Sequence, residues 1–477
     1  MIEQIFRKYD IRGKFGTEFT LADIYPITMA IVQFLQQRAP DLKNIVVGMD
    51  GRTHSPAIKQ ATVQALLDAG LNVTFIGICS SPVLYFAAQQ LPVTAGIMIT
   101  ASHNAKEYNG FKIVLNGASV WDQDLVTIRD LFLANSQHNT TASCAPALAL
   151  STGAYQELDV IELYTDYLAA QFAHLANAQL SFALDCGGGP AGLIAPLLFK
   201  KLNWANVQLL CAELDGNFTK HQADPSKAAN LADLQTRLLS DASLAFGAGL
   251  DGDADRLGIM TSGGELVPND QLLTIFATQL AKTQPQLTIV GDVKYSSGLR
   301  RYLHQKNIKT VLAPCGVAFI KAAMRTEQAL LGGELSGHFC FFDRYLGFDD
   351  GLYALLRFCE IIYLNQASLT ALLSPLPSAS YSPEIRIQCR PEQKAAIVTH
   401  TYQRLAQRSD LTLITVDGIR SEHQLGWGGL RASNTEDVLS IRFEGQDRTA
   451  LRQITMEYYE ILKAFFDEQT LKSDLNL

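Results

Sequence analysis

The chain reads as an α/β protein: three tandem domains of similar topology with mainly parallel mixed sheets, then a smaller α+β domain, all set around a central cleft. Two observations predict this. A strand ending at an Asp/Gly turn and running into a helical stretch occurs three times, in IVVGMDGR (45–52), SFALDCGGG (181–189) and LTIVGDVKYSSG (287–298). Strands alternating with helices imply a mainly parallel sheet in each repeat. After about residue 370 the pattern stops, and a different mixture of short strands and two helical stretches takes over.

Each repeat continues in the same way. A second strand follows, VTFIGI (73–78), VQLLCAE (207–213) or KTVLA (309–313), and a third leads into a polar loop. Those loops are TASHN (100–104), DGDADR (251–256) and GELSGH (333–338). Three matching corners imply one shared cleft. The domains are expected at 1–150, 151–250, 251–370 and 371–477, at somewhat less than ~150 residues per domain. Segment 136–153 is small, polar and weakly patterned, so it reads as a loop or linker. ALLSPLPSASYSP reads as a Pro/Ser-rich linker. Beyond it come a strand in EIRIQCR, a helix over 391–408, strands around LTLITVDGIR and DVLSIRFEG, and a terminal helix over 447–468.

Bulk composition narrows the class of function. The 477 residues are 48% apolar and 18% charged, as in a soluble globular protein. A net charge of −8 argues against a nucleic-acid partner, which calls for a basic face. No run reaches the ~20 apolar residues of a membrane span. MIEQIFRKYD carries no signal-peptide core. Eight cysteines (79, 144, 186, 211, 315, 340, 359, 389) are scattered singly, without C-x-x-C or metal spacing. They read as buried small hydrophobes in a reducing cytoplasm.

Four stretches carry chemistry. GIMIT is a short apolar strand that stops at Ala101-Ser102-His103-Asn104. A hydroxyl at the C-terminal end of a buried strand sits at the usual ligand-binding edge of an α/β sheet. After an Asn109-Gly110 turn, FKIVLNG returns and brings Lys112 toward that edge. Alone, Ser102 also fits an ordinary loop serine. Asp251, Asp253 and Asp255 alternate after the apolar strand AFGAGL. Three carboxylates this close repel unless a cation sits among them, and oxygen ligands suit Mg²⁺ or Ca²⁺. An EF-hand needs Gly and Glu where Arg256 and Ser262 stand, so it is excluded. GGELSGH offers Glu334, Ser336 and His338; the histidine fits a proton-transfer group and a hydrogen-bonded structural residue equally. RASNT offers Arg431, Ser433, Asn434 and Thr435, donors that surround a phosphate in a turn. In RKYDIRG the Arg12 guanidinium suits bidentate phosphate binding, or the segment is simply a solvated strand.

Taken together, T-A-S-H-N followed by N-G-F-K, F-R-x-Y-D-I-R-G, D-G-D-A-D-R, G-E-L-S-G-H and R-x-S-N-T-E resemble the motifs of the α-D-phosphohexomutases, the phosphomannomutase/phosphoglucomutase family, in family order. The resemblance implies an intramolecular phosphotransferase that interconverts hexose 1-phosphate and hexose 6-phosphate, of mannose or glucose. Ser102 would be the phosphoserine, and a bound hexose 1,6-bisphosphate the intermediate and activator. It implies Mg²⁺ held by Asp251, Asp253 and Asp255 beside Ser102, with Arg12, Lys112 and Arg256 balancing charge. Lys112 or His338 would be the general base. Tyr9, His103, Lys294, Glu334, Ser336, Arg431, Ser433, Asn434 and Thr435 would bind substrate, Glu334 through two sugar hydroxyls. Lys294 equally suits a surface lysine, and Arg442 assists the phosphate or faces solvent. Val317 stands where mannose/glucose mutases have a histidine, which leaves the sugar open, glucosamine included.

Two other readings use the same residues. A Mg²⁺-dependent sugar phosphatase, or a non-catalytic sugar-phosphate binder, needs the same pocket. Gly187, Gly189 and Gly192 also spell G-x-G-x-x-G after a strand, with Glu213 after the next, formally a dinucleotide fingerprint and an NAD oxidoreductase. The other two repeats lack it. No G-x-x-x-x-G-K-[ST] loop occurs.

Overall fold

A computed structural model describes residues 2–138, 153–433 and 437–477, without the side chains of 136–138. The chain forms two compact units, Met1–Val267 with Ser336–Leu369, and Pro268–Leu335 with Thr370–Leu477.

In the first unit, one sheet runs Ile11–Lys14, Tyr108–Leu115, Ala95–Ile99, Asn44–Met49, Asn72–Ile78, Tyr155–Glu157. The last four pair in parallel and the first three antiparallel. A second sheet runs Leu257–Thr261, Phe246–Leu250, Phe182–Asp185, Val207–Leu210, with the last three parallel. In the second unit, Lys309–Ala313, Thr288–Asp292 and Leu331–Gly333 form the same parallel triplet.

In every triplet the first strand of the repeat is central and the third lies on the far side from the second. A helix covers each crossover, as parallel pairing demands. Ser55–Asp68, Ala191–Lys201 and Ser297–Gln305 make the first crossover; Ser81–Gln90, Ala232–Ser240 and Val317–Thr326 make the second. Burial on both faces is why the interior strands are near-continuous apolar runs: the third strands Ala95–Ile99 and Phe246–Leu250 are wholly buried. Around the first sheet, Ile31, Leu35, Ile45, Val47, Ile97 and Phe111 form one apolar core. In each repeat the third strand delivers one of the three polar loops to the carboxyl edge of its sheet.

The C-terminal part of the second unit is an antiparallel sheet. It runs Ser380–Tyr381, Val438–Gly445, Gly426–Ala432, Ile419–His423, Thr412–Ile414, with Ile385–Gln388 also paired to Val438–Gly445. Helices Pro391–Leu405 and Arg448–Leu462 close it over a core that includes Ile397, Leu430, Ile441, Phe443 and Tyr458.

Several expectations change. The Pro/Ser-rich segment is not a plain linker: Leu369–Leu373 is helical, and Ser380 and Tyr381 pair with Gly445 and Glu444. The terminal helix is two, Arg448–Leu462 and Glu468–Asp474, the second capped by Asp467 accepting from the Thr470 N–H. The helix read over 391–408 ends at Leu405. The first residues of segment 136–153 belong to helix Gln123–His138, and 139–152 lie outside the described residues. Cys211 is half-buried, whereas the other described cysteines are buried as expected. No helix of the described chain is long and apolar enough to cross a membrane.

Asp270, in the second unit, is a buried carboxylate whose Oδ2 accepts no hydrogen bond. Burial pushes its pKa up to about 6, against the pull of Arg442. Below pH ~4 it is protonated folded and unfolded alike. As pH rises toward about 6 the folded protein keeps a proton that the unfolded chain has released, so stability falls across that window. Asp270→Asn is therefore expected to raise stability at pH 8 by up to ~2–3 kcal/mol and to change little at pH 4, measured by urea unfolding at both pH values.

Candidate active site

The loop carrying Ser102 is built on a buried arginine. Arg52, 1% exposed, donates from its guanidinium to the carbonyls of Ser102 and Asn104 at 2.7 Å, Ala105 at 2.8 Å and Tyr108 at 3.1 Å. Its charge is met by Asp50 at 3.0 Å. Asp50 also accepts from Ser55 Oγ and Thr100 Oγ1, both at 2.8 Å. Thr100 Oγ1 in turn accepts from the Ser102 N–H at 2.9 Å. Ser102 is held at φ +52°, a left-handed conformation that L-residues avoid and that persists only where the surroundings impose it. Arg52 and Asp50 were not among the site residues read from sequence. The signal was the Asp-Gly-Arg turn ending the first strand, read there only as punctuation.

Ser102 Oγ donates to Asp251 Oδ2 at 2.9 Å and meets His103 Nδ1 at 3.0 Å. The two loops approach this closely because residue 252 is glycine: a Cβ there would sit 2.6 Å from the Ser102 carbonyl oxygen. Helix Ser81–Gln90 begins against the same loop, Ser81 donating from its N–H to the Asp253 carbonyl at 3.0 Å and from Oγ to Asp253 Oδ2 at 2.5 Å.

Asp251, Asp253 and Asp255 are all buried, and carboxylate oxygens of the three lie within 4.8 Å of one another. Burial and the charges of Asp255 and Asp253 drive the Asp251 carboxyl well above its usual range. The Lys112 ammonium bridges Asp253 Oδ2, at 2.6 Å, and Asp255 Oδ2. Burial alone would lower the Lys112 pKa, but these two carboxylates hold it well above its ordinary value. Asp255 is likewise pulled well below, against burial, by Lys112 and His338. Asp253 Oδ1 is buried with no hydrogen bond. Oxygen donors alone, an unsatisfied buried carboxylate oxygen and a carboxyl driven upward by its neighbours fit a hard divalent cation.

Cations ring the triplet. Arg12 is paired with Asp10 and donates to Asn104 Oδ1 at 2.6 Å. Burial lowers its pKa, but Asp10, with Asp253 and Asp255, more than offsets that and leaves it raised. Tyr9 is half-buried in the bend before it. The Arg256 N–H donates to Asp251 Oδ1 at 3.1 Å. His338 Nε2 lies 3.2 Å from Asp255 Oδ1 and 3.4 Å from Arg256 Nε, and its Nδ1 is 3.0 Å from Ser336 Oγ. With a proton, Nε2 donates to Asp255; without one, it accepts from Arg256. Burial and the charges of Arg256 and Arg12 hold His103 well below the usual histidine range, as a neutral imidazole.

The second unit holds the remaining candidates. Glu334 is buried and accepts from the Gly316 N–H at 2.5 Å. Val317 begins the helix that follows Gly316. Asp292 accepts from the Lys294 and Leu335 N–H groups, at 2.8 and 3.0 Å, and so ties the loops that carry Lys294 and Glu334 to one carboxylate. Lys294 and Arg431 line one small cavity of about 20 Å³ with Asp417 and Arg420. Burial lowers the Lys294 pKa, but Cys315, Asp292 and Glu384 raise it beyond that, so it is charged and not a surface lysine. Arg442 is half-buried over the Tyr381 ring rather than facing solvent. Ser433 closes the hairpin beside Arg431, its N–H donating to the Val438 carbonyl at 3.0 Å. Asn434 and Thr435 lie outside the described residues.

The glycines of the dinucleotide-like motif serve another need. A Cβ on Gly192 would sit 1.8 Å from the Ala212 carbonyl oxygen, and one on Gly189 would sit 2.5 Å from that of Gly252. Both glycines are therefore required for close packing of the chain against residues 212 and 252.

Comparison with known proteins matches this geometry. The four phosphoglucomutase/phosphomannomutase domain families match in series: alpha/beta/alpha domain I over 3–139, domain II over 162–264, domain III over 268–379 and the C-terminal domain over 384–461. The phosphomannomutase/phosphoglucomutase of Pseudomonas aeruginosa is 35% identical over 460 residues, 96% of each chain. A Neisseria gonorrhoeae phosphoglucomutase is 33% identical, covering 96% of this chain and 97% of its own. The crystal structure of a phosphoglucomutase/phosphomannomutase family protein from Burkholderia thailandensis superposes with a TM-score of 0.85 at 32% identity, over 97% of each chain. Four domain matches in family order, with relatives aligned along nearly the whole length, make this chain a member of the phosphoglucomutase/phosphomannomutase family of intramolecular phosphotransferases.

Proposed function

We propose that the chain interconverts hexose 1-phosphate and hexose 6-phosphate, with mannose and glucose as the sugars, through a phosphoserine at Ser102 and a bound hexose 1,6-bisphosphate. The observation that carries this is the Ser102 hydroxyl on Asp251 at 2.9 Å, inside a ring of Arg12, Lys112 and Arg256. Phosphoryl transfer is chiefly positioning and charge neutralisation, and this corner is built for both. Asp251, Asp253 and Asp255 would hold Mg²⁺ beside Ser102, and the bound ion supplies charge stabilisation to the serine oxygen and the phosphoryl group.

The step itself needs few groups. A sugar hydroxyl oxygen bonds to the phosphorus as the bond to Ser102 Oγ breaks, and the hydroxyl proton passes to a base. Lys112 is held protonated by two carboxylates and suits charge balance. His338 has a partner for Nε2 in either protonation state, which favours it as the base. The bisphosphate then returns its other phosphoryl group to Ser102. Tyr9, His103 and Ser336 contribute substrate contacts, Glu334 takes sugar hydroxyls, and Lys294, Arg431, Ser433, Asn434 and Thr435 hold the phosphate that does not react. We read the domains as dividing near residues 150, 250 and 370, and the enzyme as cytoplasmic.

Three outcomes test this. Intact-mass measurement of the purified chain, incubated with hexose 1,6-bisphosphate, is expected to give one added phosphate that is lost in Ser102→Ala; phosphate release without isomerisation would replace the mutase with a phosphatase. Gly252→Ala pushes the metal loop from the serine loop, and kcat is expected to fall by ~10²-fold in a coupled assay, because reacting groups tolerate less than ~1 Å of misplacement, together with a stability loss of ~1–3 kcal/mol in urea unfolding, because the clash is with buried backbone. His338→Gln is expected to lower kcat by ~10²–10⁴-fold and to remove the acid limb of the pH–rate profile, where Lys112→Met leaves that limb in place.

A further inference from the structure

We infer that Asp185, Cys211 and His221 form a second metal site, one that takes a borderline divalent ion such as Zn²⁺ and that the mutase reaction does not use. The three residues come from separate places in the second repeat. Asp185 ends the strand Phe182–Asp185, Cys211 follows the strand Val207–Leu210, and His221 lies in the loop beyond. One ligand atom from each lies within 4.8 Å of the others.

The donor set and its geometry point to a metal rather than to a nucleophile. His221 Nε2 lies 3.5 Å from Cys211 Sγ and 3.0 Å from Asp185 Oδ2. Both contacts converge on one nitrogen. A thiolate nucleophile with an oriented base would place cysteine and carboxylate on opposite ring nitrogens instead. Tetrahedral zinc separates sulfur and nitrogen ligands by about 3.5 Å, from the usual bond lengths, which is the Cys211–His221 spacing; its nitrogen and oxygen ligands lie about 3.4 Å apart, so the 3.0 Å ion pair of His221 with Asp185 opens slightly to admit the ion. The other ring nitrogen, Nδ1, donates to the Gln222 carbonyl at 3.0 Å. That outer hydrogen bond fixes the ring so that Nε2 faces Asp185 and Cys211, the orientation most histidine metal ligands have, and Nε2 keeps a proton on Asp185 until an ion takes its place. Asp185 is anchored by its other oxygen, which accepts from the Gly187 N–H at 2.8 Å. Cys211 is held at φ +47° by its carbonyl accepting from the Gly188 N–H at 2.9 Å. A strained, half-buried thiol beside a histidine is placed for chemistry rather than for packing.

A fourth ligand has room to enter. Gly187, Gly188, Cys211, Glu213 and His221 line a cavity of about 440 Å³. One sulfur, one nitrogen and one oxygen donor with an open fourth position select zinc or cobalt over Mg²⁺. The ion replaces a proton on Nε2, so binding weakens as pH falls. The site also borders the catalytic loop, because Gln222 Nε2 donates to the His103 carbonyl at 3.1 Å. A bound ion braces the backbone next to Ser102.

The test uses the full chain, stripped by a chelator and then kept in excess Mg²⁺ so that the all-oxygen site is filled. Titration with Co²⁺ is expected to give a near-ultraviolet thiolate-to-cobalt band that saturates at equimolar metal and is displaced by Zn²⁺. Cys211→Ser and His221→Ala are expected to lose it. No band, or a band that survives Cys211→Ser, overturns the site. In the unmutated chain, Zn²⁺ is expected to slow alkylation of Cys211 at least tenfold, mapped by peptide mass; unchanged alkylation overturns it as well.

Discussion

Three carboxylates buried on one loop are the constraint to which the first unit answers. With oxygens within 4.8 Å of one another, each charged pair repels by about 3 kcal/mol or more at an effective dielectric near 20. The fold offsets this with the Lys112 ammonium, the Arg12 and Arg256 guanidiniums and donors at the start of helix Ser81–Gln90. Asp251 rises well above its usual range because burial and two neighbours act on it together, and it is the carboxylate that meets Ser102. The cluster concentrates negative charge against cations, and the serine sits where the two fields meet.

Holding the serine there takes a second device. Arg52 spends its guanidinium on four backbone carbonyls and on Asp50, so a loop of small polar residues has a rigid floor. Buried arginine suits this because its fork of donors reaches several acceptors at once. Asp292 does related work in the second unit, accepting from the backbone on either side of its loops. In both units an aspartate at the end of the repeat's first strand organises loops. The second repeat has the same aspartate, Asp185, but turns it toward Cys211 and His221.

Within a repeat, the shared topology explains why the loops recur at one edge. A central strand flanked by parallel neighbours sends every strand end the same way, and the crossover helices occupy the faces. Chemistry is left to the carboxyl edge. The third strand of each triplet ends there and leads into the loops that carry Ser102, Asp251 and Glu334.

Much of this was legible in the residues alone. Strand–turn–helix periodicity and the apolar runs of the central strands specified the three repeats, because local pattern and burial on both faces leave few other arrangements. The aspartate triplet announced itself by residue type and spacing, whereas Ser102 and Lys112 stood out through the resemblance of T-A-S-H-N and N-G-F-K to family motifs. What the chain order hid was set by long-range packing. Arg52 and Asp50 looked like turn punctuation, because the carbonyls that Arg52 serves and the Thr100 hydroxyl that Asp50 accepts from lie some fifty residues on. Ser380 and Tyr381 looked like linker until a strand more than sixty residues away gave them partners. Cys211 showed no metal spacing, since Asp185 and His221 become its neighbours only when parallel strands bring their ends together. Sequence determines the elements through local propensity and burial; which side chains meet at their ends is decided by the folded geometry, because those contacts have no counterpart in chain distance.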